Sequence, residues 1–167
     1  MLYSLLIQAK VDPPNYDFSL EKFDIFMPGS NMSDIEKIYP GKQLVFKNEA
    51  YTTYKFYIAH LRYKFAIMVQ FKNEKVTDFH ARLPQYFLHD LFHQSLIKRL
   101  GKQDIYKKVE EQAIYIWKNK DNKRHYYSGA CTITCFPVYY GVIKLGNNSN
   151  DEYQSILNRL ENIKKKN

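Results

Sequence analysis

The chain has 167 residues, 45% of them apolar and 25% charged, which places it among globular chains of one domain or two tightly joined small ones. No apolar run approaches the ~20 residues that a membrane-spanning helix needs. Lys and Arg outnumber Asp and Glu by 25 to 17, and a formal charge of +8 can attract nucleic acid or an anionic lipid surface.

Residues 1–9 are apolar but lack a basic flank, so they read poorly as a signal peptide. Residues 10–31, with Pro13, Pro14, Pro28 and Gly29, read as an extended lead-in with a short strand at 23–27. Ser33 and Glu36 form a capping box for a short helix that Pro40 and Gly41 stop. Three strands follow. The first is 53–61. The second, 63–71, puts Tyr63, Phe65, Ile67, Val69 and Phe71 on one face and Lys64, Ala66, Met68 and Gln70 on the other. A turn at 72–75 leads to the third, 76–83, where Asp78, His80 and Arg82 oppose Phe79, Ala81 and Leu83.

Pro84 opens a second helix, and residues 86–100 carry apolar side chains at helical spacing up to Gly101. Strands are expected at 112–118, 126–136 and 138–145, with Pro137 ending the second of them. Cys131 and Cys135 then lie on one strand, about 13 Å apart, too far for a disulfide unless the strand breaks between them. A final amphipathic helix spans 151–165, acidic at its start and basic at its end.

The order of elements recurs. Gly41-Lys42-Gln43 and Gly101-Lys102-Gln103 each follow a helix and precede an aromatic strand. The expected fold is therefore α+β: an antiparallel sheet of about six strands from two duplicated helix-plus-three-strand units. Helices cover one face, and the C-terminal helix seals the core. The divisions are a lead-in at 1–31, units at 32–84 and 85–145, and a loop and helix at 146–167, all in one compact domain.

Residues 26–35, Phe-Met-Pro-Gly-Ser-Asn-Met-Ser-Asp-Ile, followed by Gly41, resemble the Gly-Met-Ser opening of the outer-membrane SmpA/BamE lipoproteins and of the β-lactamase inhibitor protein. The second unit keeps Gly101 and lacks that opening. The resemblance covers roughly residues 26–145. It implies a non-enzymatic, protein-binding module of the cell envelope, periplasmic or outer-membrane-associated, with an open sheet face for another protein and no cofactor.

That face is expected to present Lys64, Met68, Gln70, His80, Arg82, Tyr115, Trp117, Thr132, Thr134 and Phe136, since Trp, Tyr, Met and Arg anchor interfaces. A nucleic-acid surface across the basic segment 98–127 is the alternative. Lys64 and Lys118 with Tyr115, Trp117, Tyr126 and Tyr127 would combine bases with aromatics in a stacking platform, although the RNP1-like run at 62–69 lacks its glycines. Nucleic acid is the less favoured partner, and peripheral membrane contact stays open. A third alternative is a metal-dependent enzyme at His89 and His93, which share a helix face at i, i+4; a third ligand is not evident, and Asp90 stands where a zincin has Glu.

Overall fold

Strand alternation and tight turns decide the architecture. The computed structural model describes residues 18–131 and 135–146. A 3-10 helix at Leu20–Phe26 and α1 (Met32–Ile38) precede β1 (Gln43–Lys47), β2 (Thr52–His60), β3 (Tyr63–Lys72) and β4 (Lys75–Arg82). Then α2 (His89–Leu100) precedes β5 (Ile105–Val109), β6 (Gln112–Lys120), β7 (Lys123–Cys131) and β8 (Cys135–Lys144). All eight strands join one antiparallel sheet in the order β1-β2-β3-β4-β8-β7-β6-β5. Two four-strand meanders thus meet at β4–β8. Asn73 and Glu74 between β3 and β4, and Asp121 and Asn122 between β6 and β7, all adopt positive φ. Two such residues in succession make the turn whose twist matches that of a hairpin.

One face of the sheet holds the core. Phe56, Ile67, Val69, Phe79, Tyr140 and Val142 lie there, under Phe23 and Phe26 of the 3-10 helix, Ile35 of α1, and Phe92 and Leu96 of α2. Phe23 stacks on Phe79, centroids 5.6 Å apart. Rings dominate this core, which suits a pleated surface against short helices: each ring buries a large area with few rotamers to freeze.

Several expectations are corrected. The sheet has eight strands, not about six from two helix-plus-three-strand units, and each α-helix is followed by four strands. The two missed strands, β1 and β5, lie at the sheet edges and are exposed along nearly their whole length. They bury no alternate side chains and leave no period in the sequence. Residues 20–26 form a 3-10 helix, not a strand. Asn31 is the N-cap of α1, so Ser33 lies within the helix and is not its cap. The second helix starts at His89, beyond Pro84. The chain reverses between Cys131 and Cys135, not at Pro137; Pro137 sits inside β8 opposite Gly129, where the register shifts. Such irregularities are where a strand tolerates proline. Cys131 and Cys135 consequently face each other across the hairpin, with Cα atoms 4.0 Å apart, and form a disulfide. The expected C-terminal helix at 151–165 lies outside the described residues.

Candidate binding face

Pairing in register assembles two rows on the second face of the sheet, opposite the core. One runs Lys55, Met68, His80, Gly141, Tyr126, Ile116 and Ile105, from β2 across to β5. In the neighbouring row, Arg82 pairs with Tyr139, Tyr139 with Ser128, and Ser128 with Ile114. Because Lys64, Met68 and Gln70 alternate on β3, and His80 and Arg82 on β4, all five expected residues occupy this face. Lys64 and Arg82 are exposed, Met68 is half-buried, and Gln70 and His80 are buried. Phe136 is exposed at 45%. Thr132 and Thr134 lie outside the described residues.

Tyr115 and Trp117 were expected here and are not. They belong to the core on the helix-covered face, with Trp117 fully buried. Its indole N–H donates to the carbonyl of Gly101, 2.8 Å away, which ties β6 to the end of α2. Tyr127 also points into the core. The aromatic platform anticipated for nucleic acid is therefore not assembled: Tyr115, Trp117 and Tyr127 are on one face, Lys64 and Tyr126 on the other. Nor is the second face bare throughout. Gln70 donates from Nε2 to Asp78 Oδ1 at 2.9 Å, and Thr77 donates from its hydroxyl to the same oxygen at 2.8 Å. This polar network is buried, as such groups can be when they hydrogen-bond one another.

Sequence reading missed the arrangement around His80. Gly141 has no side chain, and Tyr126 fills the space over it; a Cβ at Gly141 would lie 2.1 Å from the Tyr126 hydroxyl. That hydroxyl meets His80 Nδ1 at 2.8 Å. The imidazole also packs against the Tyr139 ring, centroids 5.2 Å apart. Burial lowers the His80 pKa to about 4 and holds the Tyr126 phenol far above its usual range. The contact engages Nδ1 and leaves Nε2 as the ring's other polar atom. A glycine between Tyr140 and Val142 in a strand was the available signal, since such a glycine marks close approach.

Beside this cluster is a cavity of about 400 Å³, lined by Lys55 on β2, Ala66 and Met68 on β3, His80 and Arg82 on β4, and Val138 and Tyr139 on β8. Neither Lys55 nor Arg82 has an ion-pair partner among the described residues. The wider field has one sign. The eight strands carry thirteen Lys or Arg and a single acid, the buried Asp78. The remaining described acids sit in helices, loops and turns, among them Glu74, Glu110, Glu111 and Asp121.

His89 and His93 share a face of α2, centroids 5.6 Å apart, but that face is turned into the core. His89 Nδ1 is 2.7 Å from the Tyr127 hydroxyl. His93 packs against Tyr115, rings tilted and centroids 4.0 Å apart, and its Nε2 is buried without a well-aligned partner. Burial lowers both pKa values. No group of three His, Cys, Asp or Glu that could hold a metal occurs among the described residues. A third pair, His125 with Tyr140 at 2.9 Å, completes a set of buried imidazole–phenol contacts. Compared with protein-family models, curated proteins and solved structures, the chain matches none.

Proposed function

We propose that this chain is a binding protein of an oxidising, cell-envelope compartment, and that the second face of its sheet holds an acidic protein partner. The observation that carries the reading is the single-sign sheet. Lys55, Lys64, Arg82, Lys107 and Arg124 all lie on this face, and its one acid, Asp78, is buried in hydrogen bonds. Complementary charge steers encounter and rejects partners of like sign. The Cys131–Cys135 disulfide supports the compartment, because such bonds persist where thiols are not kept reduced. The resemblance of residues 26–41 to envelope lipoproteins points the same way.

Fluorescence anisotropy with three probes tests this: an acidic Glu-Tyr copolymer, a short thymidine oligonucleotide and phosphatidylglycerol vesicles. The copolymer should bind, weaken as salt rises, and be lost in Lys64→Glu with Arg124→Glu, both exposed positions. Tighter binding of the oligonucleotide or the vesicles would sink the reading.

A further inference from the structure

The cavity between β2, β3, β4 and β8 has a chemistry more specific than the face around it. Its charged groups are both cationic. Lys55 supplies an ammonium and Arg82 a guanidinium, neither of them ion-paired among the described residues. With the Tyr126 hydroxyl donating to Nδ1, the tautomer this assignment requires, His80 supplies Nε2–H. Carboxylates are absent from its lining. The rest of the wall is Ala66, Met68, Val138 and the Tyr139 ring. The register fixes the spacing. Lys55, Met68 and His80 are successive cross-strand neighbours, so Lys55 and His80 stand two strands apart, about 10 Å between backbones. Long cationic side chains at the rim can close on one small group from either side.

We infer that this cavity is a carboxylate site: it takes a carboxylate carried on an apolar or aromatic body. Resting on the acidic-partner reading, this names what the partner inserts, a C-terminal or acidic side-chain carboxylate with a neighbouring hydrophobic group. The volume lies at the lower end of small-ligand pockets and accommodates about one large side chain with its backbone. Arg82 can meet a carboxylate with two parallel N–H bonds. The apolar wall then favours a carboxylate carried on a hydrophobic body over inorganic phosphate, which has nothing to set against it. Tyr126, packed over Gly141 and bonded to His80, fixes the imidazole before any ligand arrives. Preorganisation of that kind reduces what binding must spend on ordering.

The test uses the full chain and 3-phenylpropionate, with 3-phenylpropylamine and inorganic phosphate as comparison probes. Amide chemical shifts are followed by NMR during titration. Phenylpropionate should shift the amides of Ala66, Met68, His80, Arg82 and Tyr139, and Lys55→Met with Arg82→Met should weaken it at least tenfold. Thermal denaturation of that variant serves as the check that it folds. His80→Gln, which keeps a donor, should weaken binding less than the double variant does. No saturable shifts at these residues, equal binding of the amine or of phosphate, or unchanged affinity in the double variant overturns the assignment. If the acidic copolymer still binds in any of those cases, the acidic-partner reading survives and the carboxylate site alone is lost.

Discussion

Gly141→Ala offers the sharpest test of how the two meanders are joined. A Cβ at this position would lie 2.1 Å from Tyr126 Oη, 2.2 Å from its Cζ and 2.7 Å from the carbonyl oxygen of Phe79. The ring end would have to move by more than an ångström to reach ordinary contact. The Phe79 carbonyl cannot retreat freely, because Phe79 pairs with Val142 across the β4–β8 seam. Displacing the ring also breaks the His80–Tyr126 hydrogen bond and leaves both atoms buried without a partner. Overpacking costs about 1–3 kcal/mol, and the stranded polar groups about 1–3 kcal/mol more. A total of about 2–6 kcal/mol lowers Tm by on the order of 10 °C in a chain of this size. Urea and thermal unfolding, followed by the fluorescence of the buried Trp117, give the value. In a Tyr126→Ala background the two shortest contacts vanish. The same alanine should then cost at least about 1.5 kcal/mol less, the remainder coming from Phe79. Gly141→Ala within about 0.5 kcal/mol of wild type, or full additivity with Tyr126→Ala, would refute the packing described.

Two further perturbations follow from buried groups. His80 and His125 have pKa values held down to about 4 by burial, with Lys123 and Arg99 adding to the effect at His125. Unfolded imidazoles titrate near 6.5. The unfolded chain therefore binds more protons between these values, so stability is intact above about pH 6.5 and falls as pH drops toward 4. Each histidine accounts for about 3 kcal/mol across that window. Urea midpoints at a series of pH values should decline there, and His125→Gln should flatten the slope; a flat profile for the wild type counts against neutral buried imidazoles. At the hairpin end, Cys131→Ser should cost about 2 kcal/mol, since the disulfide closes a short loop. Alkylation of two thiols without reductant, measured by mass spectrometry, is the adverse outcome.

How far the sequence revealed this molecule depended on what each segment buries. The alternation at residues 63–71 identified β3 because one side faces rings and the other does not. β1 and β5 left no such trace because they bury almost nothing. Along β6 the parity was ambiguous. Ile114 and Ile116 alternate with Tyr115 and Trp117, so both sets are apolar, and only the neighbours under α2 select the larger rings for the core. Register across the sheet was hidden as well. Irregularities at Gln70/Phe71, Trp117/Lys120 and Ser128/Gly129 change which residues line up, and none follows from a single strand's pattern. Lys64, Met68, Gln70, His80 and Arg82 were legible as one face because they lie on two strands of one hairpin. Lys55 and Tyr139, which complete the cavity, come from strands on either side and could be added only once the pairing was known.

The placement of β8 between β4 and β7 shapes how the chain is made. β4 finds its second neighbour in a segment that emerges from the ribosome roughly sixty residues later. Until then the N-terminal meander ends in an unpaired ribbon whose backbone groups could recruit the wrong chain. Asp78 lies in the middle of that ribbon, an unwelcome charge for any intruding strand. The same carboxylate that ends up inside a hydrogen-bond network thus guards the nascent border, and the finished sheet closes over it when its last described strand arrives.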